Sequence, residues 1–382
     1  MSPMNDALVT VREINQQPAL WREVAATVAE RTEQTQRFLA PMLARPDLRI
    51  VLTGAGTSAF AGQLLAPALT RQLRRRVDAV ATTDLVSNPA EFFAEDVPTL
   101  LVSFARSGDS PESVAAASLA EQCLTAVHHV VVTCNPAGRL AREHAENPRS
   151  LVLFMPEAAN DQGFAMTSSY TCMVLAAWLT LADAPASTAL VEELARAGGG
   201  VLADRLGGVR ELARRGYRRL VYLGSGPLQG LARESALKLL ELTAGEVVGY
   251  SDSALGFRHG PKAILDEHTL AVVYLSNDPY TRRYDEDIAV ELGATLGREN
   301  VLVVAGRPSE RLGAEGVWLV PGLDTVADVA LSLPFVLVAQ LLALNFSLAL
   351  GLTPDNPFPS GEVNRVVRGV TVHPLERPLS RS

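Results

Sequence analysis

Apolar and polar positions along this chain follow two rhythms. Over residues 21–43 the apolar side chains recur at helical spacing and stop near Pro46, which predicts a helical opening. Short, almost uninterrupted apolar runs then alternate with longer helical ones. Strands are predicted at 49–53, 77–82, 99–103, 129–133 and 151–154. Helices are predicted at 58–73, at 111–122 with Pro in the first turn, and at 166–181. Strands this apolar suit a parallel sheet covered on both faces. Three glycines at 198–200 fall in a helical linker, and the rhythm restarts with a strand at 220–223, a helix at 227–244, and strands at 270–275 and 301–304. A long apolar helix at 329–352 and a Pro-rich tail follow. In each half a glycine loop, Gly54-Ala55-Gly56 or Gly224-Ser225-Gly226, follows a strand and opens a helix. That is the mark of an internally duplicated α/β unit. The expected organisation is a helical segment over 1–45, one α/β domain over 46–185, a second over 205–352, and a tail over 353–382.

Composition narrows the function. With 382 residues, 48% hydrophobic and 20% charged, the chain is globular rather than disordered. A net charge of −8 argues against a nucleic-acid binder, which needs clustered Lys and Arg, but leaves room for a small anion in a local positive pocket. The three cysteines, Cys123, Cys134 and Cys172, are odd in number and form no C-x-x-C. Neither a disulfide framework nor a metal site is expected. The N-terminus has no apolar core of a signal peptide, so a reducing cytoplasm is the expected compartment. Segment 329–352 is uncharged and long enough to span a bilayer, yet it carries Pro334, Gln340, Asn345 and Ser347. No second such segment and no basic flank accompany it, so it reads as a buried core or interface helix. Only two lysines occur, Lys238 and Lys262. Arg cannot replace them where a compact ammonium is needed.

Ligands in open parallel sheets bind beyond the carboxyl ends of the strands. Three such ends carry hydroxyls and free amides: Gly54-Ala55-Gly56-Thr57-Ser58, Arg106-Ser107-Gly108-Asp109-Ser110, and Thr167-Ser168-Ser169. Gly56, Thr57, Ser58, Arg106, Ser107, Ser110, Thr167 and Ser168 are the candidate phosphate ligands, because helix N-termini and small hydroxyls favour an anion. Any one loop could be ordinary N-capping. The first loop also fits a dinucleotide pattern, G-x-G-x-x-A with Asp84 beyond the second strand. That reading leaves the other loops unexplained. In the second half, Glu234, Lys238 and Glu241 share one helix face, either as a solvated stripe or lining a cleft with one carboxylate free as a base. His259 sits in the turn Gly256-Phe257-Arg258-His259-Gly260-Pro261-Lys262, suited to acid–base work. The adjacent His128 and His129 lack metal spacing, and the run Tyr284-Asp285-Glu286-Asp287 reads as the acidic first turn of a helix.

These motifs together resemble the sugar isomerase (SIS) family, through GAGTSAF, TTDLV, SFARSGDSPES, GFAMTSS, YLGSGPLQGLARESALKLLELTAG, GFRHGPK, PYTRRYD and SGEVNRVVRGVTVHP. The set is most similar to the tagatose-6-phosphate ketose/aldose isomerases, also described as galactosamine-6-phosphate deaminase/isomerases. It is more distantly similar to the isomerase half of glucosamine-6-phosphate synthase. The resemblance implies two tandem flavodoxin-like SIS domains, each a parallel sheet with helices on both faces. It implies that Glu241 moves a proton between C1 and C2, that His259 opens the sugar ring, and that Lys238 contacts substrate or supports the base. The tail would complete the active site. It also implies a homo-oligomer, a dimer or larger, in which the His of the HGP turn serves a neighbour's site. No redox cofactor is implied. The synthase's Schiff-base lysine falls at Arg368, which is too basic to form an imine. No glutaminase segment precedes the unit and no Cys follows Met1, so glutamine is not the expected nitrogen source. The expectation is an amino-sugar phosphate deaminase/isomerase that releases ammonium from galactosamine 6-phosphate. Alternatives are a glucosamine-6-phosphate deaminase, a plain aldose–ketose isomerase, or a non-catalytic sugar-phosphate sensor.

Overall fold

A computed structural model of the chain describes residues 8–182, 188–313, 317–367 and 369–376. Among these described residues, ten strands form two parallel five-stranded sheets. The first holds β1 (Arg49–Thr53), β2 (Val77–Ala79), β3 (Thr99–Ala105), β4 (Val127–Thr133) and β5 (Ser150–Phe154) in the order β2-β1-β3-β4-β5. The second holds β6 (Arg219–Leu223), β7 (Val248–Asp252), β8 (Thr269–Leu275), β9 (Val301–Ala305) and β10 (Val317–Leu319) in the order β10-β9-β8-β6-β7. Read from β7, that is the same order as the first sheet, which is the flavodoxin-like winding. The duplication inferred from the glycine loops therefore extends to every strand.

The central strands β1, β3, β8 and β9 are buried along their whole length, as continuous apolar runs require. The chain divides into two compact units. One carries the first sheet and comprises residues 23–160, 168–186 and 361–382; the other carries the second sheet and comprises residues 1–22, 161–167 and 187–360. The opening helix runs over Val9–Glu30, farther upstream than its apolar spacing indicates, with Pro18 inside it.

Helix Asp328–Ala349 is buried inside the second-sheet unit, packed on helices Thr188–Asp204, Leu206–Ala213 and Pro227–Leu242. Some of its polar groups find partners there, while Gln340 Nε2 and Ser347 Oγ are buried without one. The Gln17 amide donates to Gln340 Oε1 at 2.6 Å, and Asn345 donates to the Leu341 carbonyl at 2.8 Å. This helix is a core element and leaves no exposed apolar face to argue for an interface.

The segment expected as a strand over 77–82 ends at Ala79 and turns into helix Thr82–Ser87, where Asp84 is exposed. The run Tyr284-Asp285-Glu286-Asp287 is not a simple acidic first turn. It lies inside helix Thr281–Leu296, with Asp285 fully buried and Glu286 paired with Arg282 at 2.9 Å.

Candidate active site

In the first-sheet unit, the switch in strand order falls between β1 and β3. Gly54 leads from β1 into helix Thr57–Leu73 so tightly that an added Cβ would lie 2.5 Å from Ser58 Cβ. Gly56 takes φ 55°, a conformation that side chains disfavour. Only glycines let the backbone fold closely enough for the first helical amides to open toward the strand end. Thr57 and Ser58 are buried there, 4% and 5% exposed. The hydroxyls of Thr53, Thr57 and Thr82 are buried without a protein hydrogen-bond partner, and the Thr82 amide is fixed to the Gly54 carbonyl at 2.8 Å. An unmet buried hydroxyl costs about 1–3 kcal/mol, so a polar ligand at this strand end would satisfy groups the fold leaves unmet.

After β3, Arg106 is buried and donates through Nη2 to the Arg365 carbonyl at 2.7 Å, tying the tail segment to this loop. Ser107 is half-buried. Its carbonyl accepts from Asn135 Nδ2 at 2.8 Å, and a Cβ on Gly138 would come within 2.4 Å of that same oxygen. The loop is thus clamped from β4, a support that the sequence motif does not reveal. Ser110 caps helix Pro111–Cys123: its Oγ accepts from the Ser113 amide at 3.3 Å and donates to Ser113 Oγ at 2.7 Å. The capping reading holds for this serine. Ser168 is buried at the start of helix Ser168–Leu181. Arg368 lies outside the described residues.

In the second-sheet unit, Thr167 is fully buried, and its amide and hydroxyl both donate to Asp161, at 2.8 and 2.9 Å. Helix Pro227–Leu242 carries Glu234, Lys238 and Glu241. The Lys238 ammonium has no exposed surface; it pairs with Glu241 Oε2 and lies 3.6 Å from Glu234 Oε1. The face is therefore not a solvated stripe. Glu234 is fully buried, whereas the Glu241 side chain keeps 23% of its surface exposed. Of the two carboxylates, only Glu241 keeps contact with solvent.

His259 follows the turn Gly256–Arg258, with its side chain exposed and Gly260 at φ 114° beside it. The flanking cations are both paired with one carboxylate. Arg258 binds Glu291 at 2.8 Å, and Lys262 pairs with the same carboxylate. Glu291, on helix Thr281–Leu296, thus pins both ends of the His259 turn, and no sequence motif marks it. Among the described residues no cluster of His, Cys, Asp and Glu could hold a metal.

A protein-family model described as "SIS domain" matches residues 42–182. A Streptomyces coelicolor protein bearing the AgaS name is 60% identical over 378 residues, covering 98% of this chain and 97% of that protein. A D-galactosamine-6-phosphate deaminase AgaS of Shewanella sp. is 44% identical, covering 97% of this chain and 92% of that one. The crystal structure of a tagatose-6-phosphate ketose/aldose isomerase from Escherichia coli superposes with a TM-score of 0.90 at 39% identity, covering 98% of both chains.

Proposed function

The chain belongs to the AgaS family of SIS-domain proteins, and from that premise we propose that it is an enzyme converting galactosamine 6-phosphate and water to tagatose 6-phosphate and ammonium. The phosphate is held at the first sheet by the amides and hydroxyls around Gly56, Thr57, Ser58, Ser107 and Ser168, with Arg106 adding charge. Helix N-termini and hydroxyls suit a dianion. Ser110 and Thr167 keep their capping and Asp161 bonds and shape the loops rather than grip the ligand.

His259 protonates the ring oxygen as the C1–O5 bond breaks and the C1 hydroxyl gives up its proton to water, giving the open-chain aldehyde. Glu241 takes the proton from C2, leaving an enolamine across C1 and C2. The proton returns at C1, and C2 becomes an iminium. Water adds at C2, protons pass from its oxygen to the nitrogen, and the C–N bond breaks with its electron pair on nitrogen, so that the C2 ketone forms and ammonium leaves. Only protons move, so no redox cofactor enters the balance. The imine forms on the substrate's own nitrogen, so no protein lysine is required and an arginine at 368 is no obstacle. The tail completes the site, the reaction belongs in the cytoplasm, and the exposed His259 serves the site of a neighbouring subunit in a homodimer or larger ring.

The observation that carries this reading is the buried Lys238 ammonium set against Glu241, the one carboxylate of its face that keeps solvent access. Glu241→Gln preserves shape and one hydrogen bond but cannot accept the C2 proton. Turnover should fall by about 10²-fold or more with substrate binding retained, as for loss of a general base. Near-normal turnover would remove Glu241 from the role.

A further inference from the structure

Around their switch points the two sheets align residue by residue. Thr53 pairs with Ser103 across β1 and β3, and Leu223 pairs with Val273 across β6 and β8. Gly56 and Gly226 adopt the same backbone, φ 55°, ψ −126° and φ 57°, ψ −127°. Counting on from these pairs, Arg106 and Ser107 correspond to Ser276 and Asn277. The last helix of the first unit, Ser168–Leu181, corresponds to Asp328–Ala349. The second sheet therefore has its own switch point, with its own loop donors.

Those donors are taken. Ser225 Oγ donates to Asp285 Oδ1 at 2.5 Å, and the Ser276 amide donates to Asp285 Oδ2 at 3.0 Å. Ser276 Oγ donates to Asp328 Oδ2 at 2.6 Å, and the Asn277 amide to Asp328 Oδ1 at 2.8 Å. Asp285 has no exposed surface. Each donor sits on a loop that corresponds to a candidate phosphate loop of the first unit, and each meets a carboxylate oxygen of the chain itself. A carboxylate accepting several N–H and O–H donors is what such a loop offers to a phosphate oxygen.

We propose that the switch point of the second sheet is an anion cradle that the chain has filled with its own carboxylates, Asp285 and Asp328. On the reading above, each chain then holds one sugar phosphate, at its first sheet. A second phosphate would have to displace two tethered acids. The duplicated unit keeps its loops ordered without ligand, and only one copy is open to exchange.

The test uses the whole chain and inorganic phosphate. With wild-type protein, calorimetry and crystal soaks should place phosphate at the first sheet alone. Ser225→Ala should bind phosphate as wild type does, while Ser107→Ala binds it more weakly. Phosphate density against Ser225 and Ser276, or an equal loss in Ser225→Ala, overturns the proposal. In the second arm, Asp285→Ala leaves two donors of the cradle without an acceptor. Phosphate at ten times its dissociation constant should raise the Tm of this variant by about 2–4 °C more than that of wild type. Equal shifts in both overturn the proposal. If Asp285→Ala does not fold, the wild-type soak and the Ser225→Ala titration still decide. Should phosphate fail to bind at the first sheet while Asp285→Ala is rescued, the phosphate reading of the first unit falls and the filled cradle stands.

Discussion

A lysine without exposed surface is costly unless its charge is met, and Lys238 is met from two sides by Glu241 and Glu234. That explains why a chain with only two lysines keeps one here: guanidinium is larger and planar, and the space between the two carboxylates is a single helix face. The second, Lys262, is also bound to a carboxylate, Glu291, so neither lysine is a loose surface charge. At the phosphate loops the informative residue is Ser107, half-buried, with its carbonyl clamped by Asn135. Ser107→Ala should weaken substrate binding by about 1.5–3 kcal/mol, the scale of a hydrogen bond to a charged group. Calorimetry against phosphorylated and unphosphorylated sugar checks this; an equal loss for both would move the phosphate elsewhere. Such residues were legible because a short motif at a strand end carries its own chemistry. Asp161, Asp285, Asp328 and Glu291 were not. Each acts through a partner far along the chain or across a loop, and an isolated acid in the sequence does not name its partner.

Among the elements, those buried on both faces could be read from their apolar runs; of the edge strands, β2 and β5 could be read as well, whereas β7 and β10 could not. Strand β7 (Val248–Asp252) is partly exposed and carries polar residues, and β10 (Val317–Leu319) is apolar but only 3 residues long, so no extended apolar run announces either. The helix containing Asp285 was recognised only by its first turn, because its inward face includes Arg282, Asp285 and Glu286 instead of a clean apolar stripe. The glycines at 198–200 show the same dependence on packing. All three lie within helix Thr188–Asp204, but only Gly198 touches another residue: an added Cβ would fall 2.8 Å from the buried Trp21 ring. A Cβ added at Gly199 or Gly200 would meet no other part of the protein within 4 Å. Gly199→Ala and Gly200→Ala should each stabilise the protein by about 0.5–1 kcal/mol through helix propensity. Gly198→Ala should lose that gain to overpacking, about 1–3 kcal/mol in a tight core. Denaturant titration orders the three variants, and equal effects would contradict the packing account.

At the scale of the molecule, one α/β unit occurs twice and the copies have diverged in use. The first presents loops whose buried hydroxyls lack partners; the second presents the Lys238–Glu241 face and an anion cradle occupied by its own acids. Repetition of the glycine loop made the architecture legible before any strand pairing was known. The division of labour was not, because it rests on which donors meet an acceptor within the chain. The assembly proposal has its own test. Chains bearing Glu241→Gln and chains bearing His259→Ala should each be nearly inactive. After subunit exchange in a dimer, about one quarter of wild-type activity should return, since half the dimers are mixed and each has one intact site. No recovery after verified exchange would place both residues in one chain's site.

The central claim is that nitrogen leaves the sugar. Purified protein, without added NAD, metal or glutamine, should convert galactosamine 6-phosphate so that ammonium and tagatose 6-phosphate rise together, one for one. Glucosamine 6-phosphate, run in parallel, should react more slowly. Interconversion of ketose and aldose phosphates with no ammonium from either amino sugar would contradict the account and leave a plain isomerase.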